Sequence, residues 1–245
     1  MVSSSSSFRQ RAVFAGGHIT SAALFTRLCS NVEKKYQGQP NIPVELYDEQ
    51  RTYVTAAIFA SVAFLEAAIN ELFTDSVELN PNELGGTLIG LLAPNIRELM
   101  ADMWKLEIPR TARYSILEKY NIALTLARKN LFQSQDQLYQ EINLVIVLRN
   151  ALTHSEPVWT MEAASDHITY YKIYEGSKST RISRLEQKFS NPLALRNRPF
   201  FPDRCLCHAC AVWAVTSCLN FAKAFFERMG ILNYPTQSVM SLPLI

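Results

Sequence analysis

The chain has 245 residues, of which 48% are apolar and 19% are charged, and its net charge is +2. This length suffices to bury the core of one domain, and the small net charge does not by itself attract nucleic acid. Glycine is scarce, with 8 residues, which argues against an all-β protein with glycine-rich turns at regular spacing. The composition therefore favours a single, mostly helical domain.

The two ends of the chain are expected to lie outside this domain, which is placed at residues 17–230. Residues 1–16 contain five consecutive serines and no apolar core of a secretory signal, so they are predicted to be a disordered leader, and 231–245 a C-terminal tail. The longest apolar run, 54–65, reaches 12 residues against the ~20 that a bilayer requires, so no membrane span is expected. Five cysteines in a chain of this length indicate reduced thiols and a cytoplasmic location.

Five segments before residue 155 are predicted to be helical. The clearest begins behind Pro43 and carries apolar residues at every third or fourth position from Val54 to Leu72. A weaker helical stretch over 83–104 is interrupted by Pro94. The others are expected at 18–36, where Gly16 and Gly17 oppose an earlier start, and at 111–126 and 134–154. Short links between helices with one apolar face favour an antiparallel bundle.

An insertion at about 158–201 breaks the helical pattern. Residues 167–174 are rich in β-branched and aromatic types, which predicts a short hairpin or extended arm with a turn at Gly176. Several prolines then predict an irregular connection. The last helix is expected to begin near Asp203, as its N-cap, and to end by Gly230.

The most informative motif closes the fifth helix. An apolar stripe leads into Arg149 and Asn150, and His154 follows shortly before Pro157, which disfavours helical geometry at the preceding residue. The helix should therefore end near His154, where the unpaired carbonyl groups favour a cationic imidazole. A guanidinium and an imidazole are the minimal groups for cleaving an RNA phosphodiester without a metal ion.

The same residues also have a purely structural explanation, because Arg and His are favoured at a helix C-terminus by electrostatics alone. Arg11 and His18 form a similar pair by chance, but no apolar stripe leads into them. The long amphipathic stretch before Arg149 and the helix stop after His154 distinguish the second pair from the first.

The motif and two further segments resemble the HEPN superfamily of helical domains. Residues 149–154 are similar to its signature of Arg, a polar residue, three further residues and His. Residues 64–73 resemble the long first helix of these bundles, and 202–211 followed by Trp213 resembles the closing helix of a group of bacterial members. The similarity extends over about 43–230. The resemblance implies an all-α, HEPN-like antiparallel helical bundle with a short hairpin insertion, in a homodimer whose two signatures meet in one cleft.

The resemblance also implies metal-independent RNA cleavage by a toxin or defence effector, with no cofactor. In that role His154 is the general base on a ribose 2′-hydroxyl or the general acid, Arg149 stabilises the transition-state charge, and Asn150 orients His154 or holds a phosphate oxygen. A cognate antitoxin of the nucleotidyltransferase-like type is the implied partner. The alternative is a non-catalytic helical scaffold in which the same residues bind a phosphate or stabilise a dimer.

A basic segment follows the motif. Residues 172–204 hold eight Lys and Arg against three carboxylates, so the rest of the chain is net negative. This segment is predicted to follow the RNA backbone, with tyrosines stacking on unpaired bases, although a solvated surface and a packed sheet face are the alternative explanations. The candidate RNA-binding residues are Lys172, Arg181, Arg184, Lys188, Tyr170 and Tyr174.

Cysteines cluster before the last helix. Cys205, Cys207 and Cys210 lie with His208 within six residues, but no second Cys or His pair is found elsewhere, and structural zinc sites usually draw ligands from two separate segments. The helical spacing of Cys207, Cys210 and Cys218 fits core packing instead. We therefore predict no metal site and no cysteine nucleophile.

Overall fold

A computed structural model describes eight segments of the chain, which form a helical bundle with one small sheet. The described residues are 12–39, 41–85, 87–109, 114–154, 160–163, 169–172, 178–194 and 201–231, with the backbone alone for the strands and for residues 81, 178–180 and 182. The helices are α1 (Ala15–Tyr36), α2 (Val44–Glu78), α3 (Pro94–Lys105), α4 (Ile116–Leu126), α5 (Gln137–Thr153), α6 (Lys178–Lys188) and α7 (His208–Met229). Strands β1 (Thr160–Ala163) and β2 (Thr169–Lys172) pair antiparallel. The helical class expected from the sequence is confirmed in these segments.

Helices α2 and α7 form the centre of the core. Each is long and apolar, and α4 is fixed between them by Tyr120, whose hydroxyl donates to the backbone oxygen of Leu65 at 2.8 Å. The edge of the same ring meets Phe221 and Phe225 of α7, with centroid distances of 5.0 and 4.7 Å. Burying each of these large side chains contributes about 1.5–3 kcal/mol, so this layer is a main source of stability.

Helix α1 runs antiparallel to α2. The backbone N–H groups of Phe14 and Ala15 donate to Glu71 Oε1 near the end of α2, at 2.7 and 2.9 Å. At the other end of α1, Glu33 Oε1 accepts from Gln50 Nε2 at 2.5 Å and from the backbone N–H of His208 at 2.6 Å. The start of α7 is therefore held beside the end of α1 and the start of α2.

A buried polar cluster joins the chain before α7 to α2. Asn191 and Gln50 exchange amide hydrogen bonds of 2.9 and 3.2 Å, and Asn191 Nδ2 also donates to the backbone oxygens of Asp203 and Leu206, both at 2.9 Å. The hydroxyl of Tyr47 donates to the Asp203 carboxylate. These bonds supply partners for polar groups that burial would otherwise leave unsatisfied.

Helix boundaries follow local signals that the sequence contains. Pro43 precedes α2, and Pro94 is the first residue of α3, a position where its missing N–H is not needed. Ser115 and Glu118 form a reciprocal capping box, which starts α4 at 116 and not at the predicted 111. Gly230 ends α7 with a φ of +88°, as predicted from the sequence.

The predicted leader boundary is wrong, because Gly16 and Gly17 lie inside the first turn of α1. The glycine penalty is about 1 kcal/mol each at a helix interior, but it is smaller at an end, where the backbone N–H groups of Phe14 and Ala15 are satisfied by Glu71. The helix therefore begins at Ala15.

In the second half one prediction is confirmed and two need correction. Strands β1 and β2, paired antiparallel in the register Thr160↔Lys172, form the short hairpin expected in the insertion, while the turn predicted at Gly176 lies outside the described residues. Residues 178–188, expected to be extended or irregular, form α6, which is anchored by the fully buried Leu185. Asp203 is not an N-cap, since α7 begins at His208 and Asp203 lies in the buried cluster described above.

Two helices, α2 and α7, are long and apolar enough to cross a membrane by length and composition, with mean hydropathies of 1.7 and 1.4 over their most apolar windows. The expectation drawn from residues 54–65 alone was too strict, because an 18-residue window that includes some polar residues meets the criterion in both helices. Half of the α2 window and 61% of the α7 window are buried in the bundle. Core helices of a bundle meet the same criteria, so this finding is weak support for a membrane protein.

Candidate functional site

The candidate site lies at the C-terminal end of α5. The helix ends at Thr153, and His154 is the C-cap, with φ −115° and ψ 43°. The backbone N–H of His154 donates to the carbonyl of Asn150, and Thr153 Oγ1 donates to the carbonyl of Arg149, both at 2.9 Å. The first of these bonds occupies one of the four carbonyl groups that a helix end leaves free. The predicted helix end at the motif is confirmed.

Arg149 is the most unusual residue of this end. Its neighbour Leu148 is fully buried, whereas Arg149 is half-buried at the edge of the same stripe. Its Nε atom is buried and has no hydrogen-bond partner. Among the described residues, no carboxylate forms an ion pair with it. A buried donor without an acceptor costs about 1–3 kcal/mol, and more when the group is charged. The half-buried guanidinium therefore has one donor, Nε, that the protein leaves unsatisfied.

Asn150 and His154 are exposed and share one face of α5. Residues four apart on a helix lie about 40° apart around the axis, whereas Arg149 lies about 100° from Asn150. Within one chain, the amide and the imidazole are thus side by side, and the guanidinium is on the adjoining flank. By the same geometry His154 lies about 140° from Arg149 around the axis, so one chain presents the imidazole and the guanidinium on different sides of the helix end.

No protein-family model, curated protein or solved structure matches this chain. The resemblance to HEPN domains therefore depends on residues 149–154, on the segments 64–73 and 202–213, and on the helical fold alone.

The outer side of α5 combines half-buried apolar side chains with exposed polar ones. Three of its seventeen residues are buried, which are Ile142, Val145 and Leu148, and its exposed residues are all polar. Val147 and Ala151 are half-buried and lie beside Asn150 and His154, whereas Leu144, in the same row, packs against the core. This small apolar area is the part of α5 that a second chain could cover.

The structure separates the predicted RNA-binding residues into three groups. Arg181 and Arg184 are exposed on α6, and no described residue forms an ion pair with either. Lys188 is instead bound to Glu141 of α5, at 2.9 and 3.0 Å. The side chains of Tyr170 and Lys172 and the whole of Tyr174 lie outside the described residues.

The cysteine cluster contains a member that the sequence did not reveal. Cys29 of α1 lies near Cys207 and Cys210, and all five cysteines of the chain are buried, with none of them in a disulfide. Burial raises the pKa of Cys207 to about 11 and raises the pKa of Cys210 well above its ordinary value. Among the described residues, no group of three or more His, Cys, Asp or Glu is arranged to hold a metal ion.

Sequence reasoning also missed the partner of Lys188. Its ammonium lies 5.0 Å from the centre of the Trp213 ring, and the Trp213 indole N–H donates to the Glu141 carboxylate. This triad joins α5, α6 and α7. Nothing in the local sequence of α6 indicates it, because the three residues are far apart in the chain.

Proposed function

We propose that this protein is a metal-independent endoribonuclease with an HEPN-like fold, and that the α5 end is its active site. The observation that carries the proposal is the buried Arg149 Nε without an acceptor, five residues before the exposed His154. A buried donor without an acceptor is destabilising, and an anion that reaches the half-buried guanidinium, such as an RNA phosphodiester, offsets this cost.

The proposed reaction uses the 2′-hydroxyl of the substrate as the nucleophile. His154 removes the proton of this hydroxyl, the 2′-oxygen forms a bond to phosphorus, and the bond from phosphorus to the 5′-oxygen breaks, with the leaving oxygen taking up a proton. Arg149 stabilises the extra negative charge in the transition state, and Asn150 orients the imidazole or holds a phosphate oxygen. The products are a 2′,3′-cyclic phosphate and a 5′-hydroxyl, and DNA is inert.

We further propose that the active form is a homodimer formed through the outer face of α5. Val147 and Ala151 are half-buried apolar residues directly beside the exposed Asn150 and His154. A two-fold axis near this face brings two copies of the motif together without additional sequence. The second copy then closes the side of the phosphate that one chain leaves open.

A toxin or defence role in the cytoplasm is the biological setting we propose. It is supported by the motif and by the five cysteines, none of them in a disulfide, which suits a reducing compartment. An antitoxin of the nucleotidyltransferase-like type is the proposed inhibitor, because an uncontrolled ribonuclease harms its host.

The test is cleavage of RNA by the purified protein and by matched variants. Wild type is expected to cut cellular RNA equally well with and without a chelator, whereas His154→Ala and Arg149→Ala lose cleavage and keep their helical circular dichroism. His18→Ala on α1 and Arg27→Ala, which is exposed on the same helix, are the controls and retain activity. Wild type that binds RNA without cutting it supports the phosphate-binding scaffold instead. A strictly monomeric mass with full activity contradicts the dimer.

A further inference from the structure

Helix α3 carries an apolar stripe that the described chain leaves uncovered. Leu99 is 45% exposed and Leu106 69% exposed, and Ile96 and Met103 between and beside them are half-buried. The spacings of three, four and three residues place all four on one side of the helix. We call Ile96, Leu99, Met103 and Leu106 the α3 stripe.

Exposure of large apolar side chains is concentrated around this helix. Of the ten large apolar residues that are most exposed in the described chain, four lie between residues 77 and 106. Single exposed leucines are ordinary, but a row of them along one helix face marks an interaction site.

The α3 stripe has an acidic border. Glu98 and Asp102 are exposed along one flank of it, and Glu107 is exposed just beyond the end of α3. Over residues 75–107 there are six carboxylates against Arg97 and Lys105, while the whole chain has a net charge of +2. This stretch of the chain therefore has the opposite sign to the protein as a whole, which favours a basic partner.

A cavity of about 360 Å³ lies on the other side of this acidic border, between α3 and the end of α2. Its lining combines the carboxylates of Asp75, Glu98 and Asp102 with the apolar side chains of Leu79, Leu84 and Ala101. Arg97 and Lys105 also line it, and Lys105 lies 3.5 Å from Asp102. An apolar wall with carboxylates fits the aliphatic stem and the charged head of a Lys or Arg side chain.

We propose that α3 is the docking surface for a protein segment that forms a basic amphipathic helix. Leu or Ile residues of that helix, at spacings of three and four, cover the α3 stripe, and its Lys or Arg residues lie against Glu98 and Asp102, one of them reaching into the cavity. The acidic border disfavours an anionic lipid surface by charge repulsion. This surface is separate from the α5 site, and the inference does not depend on RNA cleavage.

The test measures binding of two fluorescent model peptides by anisotropy. One peptide has leucines on one helical face and lysines elsewhere, and the other has glutamates in place of the lysines. The intact protein is expected to bind the lysine peptide at least ~10-fold more tightly. The double variant Leu99→Ser with Leu106→Ser removes this binding, while the control Leu24→Ser, at a similarly exposed site on α1 (42%), keeps it.

A charge-reversal variant provides the second arm. Changing Glu98, Asp102 and Glu107 to Lys is expected to reverse the preference toward the glutamate peptide. Equal binding of both peptides by wild type, or an unchanged preference after charge reversal, overturns the proposal. A change in oligomeric mass in the Leu99→Ser and Leu106→Ser double variant also overturns it, because that result identifies an interface between two copies of this chain. Loss of binding to anionic vesicles in the same variant overturns it as well, because that result identifies a lipid site.

Discussion

Lys188 of α6 donates two hydrogen bonds to the carboxylate of Glu141 on α5. Partial burial raises the pKa of Glu141, but the hydrogen bonds from Lys188 and Trp213 outweigh this effect, so the pKa lies below its usual value. A carboxyl group whose pKa is lower in the folded protein adds stability above its unfolded pKa of about 4.3, and this stability is lost as the pH falls through the folded pKa.

We expect Glu141→Gln to lower the melting temperature at neutral pH. The difference from wild type should shrink as the pH falls below about 4, because both proteins then lack the carboxylate. Thermal unfolding followed by circular dichroism over a pH series checks this. Glu98→Gln, at an exposed site on α3, is the control and should leave the pH profile unchanged. A difference that persists at acid pH would mean that packing, and not charge, explains the loss.

We expect Lys188 to contribute less to RNA binding than its neighbours on α6. Replacing Arg181 and Arg184 by Ala is expected to weaken RNA binding and to reduce the slope of log K against log salt by about 0.7 for each lost contact with a single strand. Lys188→Ala should leave that slope unchanged and lower stability instead, since Lys188 is held by Glu141. Anisotropy titrations over a salt series measure both. An equal slope change for all three residues would show that Lys188 leaves Glu141 when RNA binds.

Arg149 should be a site where function opposes stability. Arg149→Met keeps an unbranched side chain and removes the buried donor without an acceptor, so we expect the free energy of unfolding to stay level or rise by up to about 1–3 kcal/mol. Arg149→Ala also removes the packing of the stem and should be less stable than the Met variant. Urea unfolding measures these values, and both variants should fail to cleave RNA. A marked loss of stability in Arg149→Met would contradict the unpaired state of the guanidinium.

Asn191 should be among the most sensitive polar positions. Its amide bonds with Gln50 and with two backbone oxygens, and its Oδ1 accepts from the backbone N–H of Leu193 at 2.9 Å. Asn191→Ala leaves these buried groups without partners, which we expect to destabilise the fold by about 2–4 kcal/mol. Asn220→Ala, at an exposed position of α7, should change stability by less than about 1 kcal/mol. Chemical denaturation of the two variants decides the point.

The five cysteines should resist alkylation in the folded protein. They are buried, and burial holds the pKa of Cys207 at about 11, so little thiolate exists at neutral pH. We expect no fast reaction with a thiol reagent under native conditions and five modified thiols after unfolding, counted by mass spectrometry. Rapid modification of any cysteine at pH 7 would contradict this burial.

The end of α5 was predictable because its signals are local. An apolar stripe, a cation and a proline three residues after His154 define where the helix stops, and the structure ends it at Thr153. Gly230 specified the end of α7 in the same way. Signals of this kind involve only a few neighbouring residues, so they can be recognised from the sequence alone.

Helix α6 was missed because its sequence is mostly polar. Among the side chains of α6 that the structure describes, Leu185 is the one that is fully buried, and the helix is held by contacts of Lys188 with residues of α5 and α7. The approach of Cys29 to Cys207 was missed for the same reason, since it requires the packing of α1 against the start of α7. The unpaired state of Arg149 Nε likewise depends on which carboxylates the fold brings near it. Such contacts between distant segments are not visible in local periodicity.

The pairing of α2 with α7 has a consequence for biosynthesis. About 130 residues separate Glu78, the last of α2, from His208, the first of α7. At ordinary translation rates, α2 therefore waits on the order of 10 s before the helix that covers it is made. During that time α7 cannot yet pack against Phe64, Leu65 and Ile69, which are fully buried in the finished protein. Nascent chains that stop before His208 should therefore be digested readily by protease and should be bound by ribosome-associated chaperones until α7 emerges.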